Sequence, residues 1–236
     1  MSNRKASFNA IAALLAKLSD DQQLALLDRP DEFVEFAAAQ AAKIVQDTYF
    51  VPIADKDVPQ KIAESVWKWR KLASDLGYTG PVCWRVRAGF TLKSHAPQAG
   101  PCYEKFGYLQ DWQLQNDEAT QSCVVFWIPR LVKDSVSKTV EEQMVLAKQV
   151  RTTYDLPAHH LTSFGSAALN SGAVLAHYKR TGERTPLNGL YVRTDTLRVG
   201  GNRLDVGNFG VAGLCCVHWH GDGRDDDLGF FPWGME

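Results

Sequence analysis

The chain has 236 residues, of which 45% are hydrophobic and 22% are charged, values typical of soluble globular proteins. This composition excludes wholesale disorder, collagen and coiled-coil rods, and no apolar run approaches the roughly 20 residues that a membrane-spanning helix needs. The 26 Lys and Arg residues nearly balance the 27 Asp and Glu residues, so no overall electric field attracts the chain to nucleic acid or to a membrane surface.

The five cysteines are an odd number and include the adjacent pair Cys215 and Cys216. No C-x-x-C spacing occurs, so neither a disulfide framework nor a redox motif is indicated. Free thiols are typical of a reducing compartment. The apolar residues of the first 18 positions recur at helical spacing rather than as the unbroken apolar run of a targeting peptide. The sequence therefore predicts a cytoplasmic protein.

The first 47 residues are predicted to be helical. Ser19 and Gln22 have the spacing of a capping box, and Pro30 suits the first turn of the next helix. An apolar stripe follows, made of Phe33, Phe36, Ala37, Ala41, Ile44 and Val45. Short amphipathic helices are stable when such stripes are buried, against each other or against the rest of the chain. We therefore expect a helical N-terminal subdomain, residues 1–47, followed by an α+β domain, residues 48–236.

The middle of the chain alternates helix and strand signals. A long helix is predicted over 57–76. Residues 83–90 then alternate polar or small side chains with apolar ones, which is typical of a strand with one buried face. This alternation places Arg85 and Arg87 together on the opposite face.

A long excursion, residues 94–121, separates that strand from the next and is predicted to hold one short strand around Trp112. Residues 123–131 are nearly all apolar, as in a strand buried on both faces. Thr139 and Glu142 have capping-box spacing and predict the start of a helix.

The last third of the chain changes character. Residues 163–178 predict a thin helix rich in Gly, Ala and Ser, ended by Gly182. Glycine-rich turns then separate short apolar segments that predict a β-meander, with strands at 191–197, 203–206, 214–219 and 228–231. Because no crossover helices follow residue 190, the predicted fold is α+β: N-terminal helices, then a mainly antiparallel sheet with packed helices and a C-terminal meander.

The densest chemical cluster is His218, His220 and Asp222. Two imidazoles on one strand face and a carboxylate at the following turn suit a divalent metal with an open position for water. Such a metal activates water for hydrolysis, and zinc or manganese is the expected ion; no other cofactor is expected. The competing interpretation is a hairpin whose imidazoles face solvent.

The same string resembles the H-x-H-x-D-H motif of metallo-β-lactamase-type hydrolases over five residues. Gly223 stands where that motif has its last histidine. The departure removes one metal ligand, so the family is not assigned.

A second cluster is basic and aromatic. Between residues 61 and 105, eight Lys and Arg residues stand against three acidic ones, interleaved with Trp and Tyr. Arginines on an exposed sheet face can follow a phosphate backbone while aromatic rings stack on bases. Trp67 and Trp84 are predicted to face the core instead. The candidate binding residues are Arg85, Arg87, Trp69, Lys68 and Arg70, and a merely solvated surface is the competing interpretation.

These patterns support three functions in order. The first is a non-catalytic binding or accessory protein that engages an anionic partner, nucleic acid among them, through the basic-aromatic face. The second is a metal-dependent hydrolase built on His218, His220 and Asp222. The third is a structural or assembly protein joined through its N-terminal helices. Arg193 and Asp195, with Asp205 on a paired strand, predict a cross-strand ion pair that needs no functional explanation.

Overall fold

The computed structural model of the protein describes residues 49–115, 119–219 and 223–236. The predicted helical subdomain, residues 1–47, lies outside the described residues. Within these ranges the chain forms two four-stranded, mainly antiparallel sheets with helices packed against them. The α+β fold class is therefore confirmed.

Eight strands and four α-helices make up the described part of the chain, together with short 3₁₀ segments. In chain order they are β1 (Phe50–Pro52), α1 (Ala63–Asp75), β2 (Cys83–Val86), α2 (Ala96–Ala99), β3 (Cys123–Trp127), α3 (Val140–Thr153), α4 (Ala167–Thr181), β4 (Tyr191–Leu197), β5 (Arg203–Gly210), β6 (Gly213–Trp219), β7 (Leu228–Gly229) and β8 (Trp233–Met235). None of the described helices has the length and apolar character needed to cross a membrane.

The first sheet has the strand order β1-β2-β3-β8, with every neighbouring pair antiparallel. In β2, Trp84 and Val86 are buried and Arg85 is exposed, so the predicted alternation is confirmed. Cys83 shares the arginine face yet is buried, because Trp69 of α1 packs over that end of the sheet. One face thus divides into a covered half and an open half.

The second sheet has the strand order β6-β5-β4-β7. Its first three strands in sequence form the predicted antiparallel meander. The last predicted strand is shorter than expected and pairs with β4 in parallel, Tyr191 opposite Leu228. The chain then leaves this sheet, and β8 joins the first one, where Phe126 of β3 lies opposite Gly234. The pattern of the sequence did not predict this return.

Helix α4 contacts β1 of the first sheet and β4 and β5 of the second. Every residue from Ala167 to His177 is buried, as expected of a helix enclosed on all sides. Its small residues make this packing feasible: a Cβ atom on Gly172 would overlap the ring of Phe50. The predicted thin helix is therefore the element around which both sheets pack.

Both helix ends that the sequence marked are confirmed. Thr139 and Glu142 form the reciprocal capping box of α3. Gly182 ends α4 in the left-handed conformation, with φ of 72°, which costs glycine little because it has no Cβ. The start of α4 is later than predicted, since Ser166 is the N-cap and its hydroxyl accepts from the Leu169 N–H at 3.1 Å.

The excursion over 94–121 differs from its prediction. It contains α2 and a 3₁₀ segment, Tyr103–Asp111, rather than a strand around Trp112. The neighbouring Leu114 makes only an isolated bridge with Arg198. Residues 116–118 lie outside the described residues.

We expect Gly172→Ala to destabilise the protein by about 1–3 kcal/mol, because the added methyl group overpacks the core against Phe50. Thermal unfolding should show a lower Tm, and Phe50→Leu in the same chain should restore part of the loss by making room. Gly107→Ala is the matched control, since a Cβ there meets nothing within 4 Å. An unchanged Tm for Gly172→Ala would show that the helix is not held against β1.

Candidate functional site

Arg85 and Arg87 lie on the open half of the first sheet and are exposed. Arg85 has Val51 of β1 and Val124 of β3 as its cross-strand neighbours. The Arg87 N–H donates to the Tyr49 carbonyl at 2.9 Å, so the strand geometry continues to this residue. Neither guanidinium belongs to an ion pair with another described residue. Their charge is available to a partner.

The two other cations of the predicted face are engaged within the protein. Lys68 lies 2.7 Å from Glu64 and 2.8 Å from Asp155, and the hydrogen bond to Asp155 raises the pKa of Lys68. Arg70 donates to the carboxylate of Asp55. These contacts are exposed and contribute little to stability, but they neutralise both cations.

Trp69 does not present its ring to solvent. It is fully buried, stacks on Phe126 with ring centroids 5.5 Å apart, and donates its indole N–H to Nδ1 of His160 at 3.0 Å. The expectation that Trp69 contributes to an exposed aromatic surface is therefore wrong. Trp67, which was expected to face the core, is 65% exposed. The error is one of helical phase, because α1 turns residue 69 rather than 67 towards the sheet.

Two adjoining cavities run along β1. The larger, about 760 Å³, lies between β1, α1 and the turn at 78–83. The smaller, about 440 Å³, extends towards Arg85. Both are lined by Val51–Ala54, so they form one continuous depression, here termed the β1 groove.

The β1 groove combines apolar walls with charged side chains. Its apolar lining includes Val51, Ile53, Val58, Val66 and Val82. Its charged residues are Arg70, Arg85 and Arg180 and the acids Asp55 and Asp57. Since Arg70 is paired with Asp55, the two exposed arginines outnumber the remaining acid.

The titratable groups of the groove wall are neutral at physiological pH. Burial raises the pKa of the Tyr78 hydroxyl to about 12 and that of the Cys83 thiol to about 11. A thiol is nucleophilic only as the thiolate. The groove therefore has the character of a binding surface rather than of a nucleophilic active site.

A second cluster, His159, His160 and Glu236, lies on the same face of the first sheet. One nitrogen or oxygen atom from each residue falls within 4.8 Å of the others, and Nε2 of His160 is 3.3 Å from the Glu236 carboxylate. Desolvation lowers the pKa of His160 to about 4, so its ring is neutral.

The tautomer of His160 does not suit a metal. Its Nδ1 accepts the N–H of Trp69, and an indole nitrogen is a donor only, so the single proton of the neutral ring is on Nε2. A metal ligand needs a free lone pair on the nitrogen that faces the ion, with the other nitrogen donating. The Nε2–H instead points towards Glu236. This cluster does not fit a divalent metal.

The sequence-predicted metal site is described only in part. His218 lies on β6, is exposed, and packs edge-to-face with Trp112 at a centroid distance of 5.1 Å. His220 and Asp222 lie outside the described residues. The metal site therefore stays a prediction.

The predicted cross-strand pair of the second sheet is present but deeply buried. Arg193 lies opposite Asp205 in the β4–β5 register, and they are 1% and 0% exposed. Arg193 donates to the carbonyls of Lys138 at 3.3 Å and Gly223 at 3.2 Å. The Asp205 carboxylate accepts no hydrogen bond from a described residue. Desolvation raises the pKa of Asp205 to about 7, although the charge of Arg193 opposes this.

Comparison with known proteins adds no assignment. No protein-family model, no curated protein and no solved structure matches the chain. The function must therefore be inferred from the side chains themselves.

We expect Asp205 to make the folded state less stable as the pH rises. The folded protein keeps its proton up to about pH 7, whereas an unfolded chain releases it near pH 4, at about 3.9. Stability from this group is therefore present at low pH and is lost between those values. Asp205→Asn should give a higher Tm than the wild type at pH 8 and a smaller difference at pH 5.

The comparison of variant with wild type isolates Asp205 from other titrating groups. His160 contributes in the opposite direction, because its lowered pKa favours folding above the unfolded value. That contribution is common to both chains and cancels. Identical pH profiles of Tm would show that Asp205 is ionised in the folded protein.

We expect His159→Ala to leave the zinc affinity of the wild-type chain unchanged, because the Nε2 proton of His160 blocks coordination. Trp69→Phe removes the indole donor and allows the proton to move to Nδ1. This variant should gain a zinc-dependent rise in Tm that His159→Ala then abolishes. Loss of zinc binding from the wild type on His159→Ala alone would contradict the tautomer.

Proposed function

We propose that the protein is a non-catalytic binding or accessory protein that holds an anionic partner at the β1 groove and the adjoining arginine face. The observation that carries this proposal is the set of exposed guanidinium groups at Arg85, Arg87 and Arg180, none of them in an ion pair with a described residue. Elsewhere on the same face, Lys68 and Arg70 are neutralised by acids. Charge left uncompensated beside an open groove favours an anionic ligand.

The partner chemistry that fits best is the phosphodiester backbone of single-stranded nucleic acid. Guanidinium groups match phosphate oxygens in a bidentate geometry. Arg85 and Arg87 are two positions apart in extended chain, which separates them by roughly 7 Å along one line. Trp67 lies on α1, one wall of the groove, and its 65% exposed indole is available to stack on a base.

Addition of a peptide strand to the edge of the first sheet is less favoured. Tyr49 and Ile53 use their backbone groups to bond β2, so the polar groups of Phe50 and Pro52 face outwards. Pro52 has no N–H, and proline on an edge strand discourages further pairing. The edge of β1 therefore offers a pairing strand an incomplete set of donors.

Two further statements accompany this proposal. All five cysteines are free thiols in the described ranges, which supports the proposed cytoplasmic location because reducing compartments keep thiols unpaired. The alternatives from the sequence, a metal-dependent hydrolase and an assembly protein joined by its N-terminal helices, depend on residues outside the described ranges. No residue is assigned a catalytic role.

The test is fluorescence anisotropy with a labelled single-stranded oligonucleotide and the full chain. We expect Arg85→Glu with Arg87→Glu to weaken binding by about tenfold or more and to reduce the salt dependence by roughly two phosphate contacts. The control is Lys133→Glu with Lys148→Glu, which changes the net charge equally at two exposed lysines. Equal weakening by both pairs, or no binding by the wild type, would refute the proposed interface.

A further inference from the structure

The β1 groove opens where the described chain begins. Tyr49 directly precedes β1, and Val51–Ala54 line both parts of the groove. Residues 20–47 are therefore tethered within a few residues of the groove wall. At roughly 3.3 Å per extended residue, even part of this segment is long enough to reach every side chain that lines it.

The tethered segment and the groove have opposite charge. Residues 20–47 contain seven acids and only two bases, and the acids are Asp20, Asp21, Asp28, Asp31, Glu32, Glu35 and Asp47. The groove presents Arg70, Arg85 and Arg180, against Asp55 and Asp57. The pairing of Arg70 with Asp55 leaves the two other arginines as the cations that a carboxylate can reach.

The segment also has an apolar complement to the groove walls. Its stripe of Phe33, Phe36, Ala37, Ala41, Ile44 and Val45 follows the acids at 31, 32 and 35 closely. The groove walls supply Val51, Val58 and Val66. An occupant with carboxylates beside apolar side chains satisfies both kinds of lining at once.

We propose that residues 20–47 bind in the β1 groove as an intramolecular anionic ligand and that the external partner must displace them. A tethered ligand acts at an effective concentration in the millimolar range when its linker is short. Such a competitor lowers the apparent affinity of the groove for any free anion. The displacement step rests on the proposed function; the placement of the segment in the groove does not.

The binding test uses the full chain with Asp31→Asn, Glu32→Gln and Glu35→Gln. Removing these charges weakens the competitor, and we expect oligonucleotide affinity to rise about tenfold. The control is Asp111→Asn, Glu141→Gln and Asp226→Asn, three exposed acids elsewhere. Both triple variants gain the same net charge, so a general electrostatic effect raises their affinities equally, and that result would overturn the proposal.

Amide hydrogen exchange tests the placement without nucleic acid. We expect faster exchange at residues 51–58 and 78–83 in the segment variant than in the wild type or the control variant. Equal exchange in all three chains would overturn the placement. Faster exchange combined with no oligonucleotide binding by any chain would support the placement and refute the proposed function, so the two failures are distinguishable.

Discussion

The close approach of α4 to β1 determines the rest of the architecture. At Gly172 the helix backbone lies against the ring of Phe50 with no room for a side chain. On its other sides the same helix packs on β4 and β5. Asn170 adds a polar tie, since its amide oxygen accepts the Trp233 indole N–H at 3.1 Å and its nitrogen donates to the Phe164 carbonyl at 2.9 Å. One thin helix thus fixes strands from both sheets.

This packing also explains why the candidate surfaces converge on one face. With Phe50 turned towards α4, its neighbour Val51 must point the other way, into the β1 groove beside Arg85. The tie to Trp233 similarly holds β8 in the sheet, where Gly234 leaves space for the rings of His160 and Trp69. The groove, the arginine face and the histidine cluster are therefore consequences of the same core packing rather than independent features.

Local signals predicted much of the fold, and non-local contacts account for what they missed. The capping box at Thr139 and the meander strand at 191–197 depend on neighbouring residues alone, and both are confirmed. The phase of α1 depends on which side the sheet lies, so the burial of Trp69 was not visible in the sequence. The burial of Asp205 depends on the segments that contribute the Arg193 partners, far away in sequence. The exposure of Arg85 followed from simple alternation.

The strand order of the first sheet has a consequence for how the protein acquires its structure. Strands β1 and β8 flank the same sheet although about 180 residues separate them along the chain, and loop closure over such distances makes folding slow. During synthesis, β3 leaves the ribosome long before its partner β8 exists. Its unpaired apolar edge is then a site for chaperones or for aggregation. Completion of this domain is a late, post-translational event.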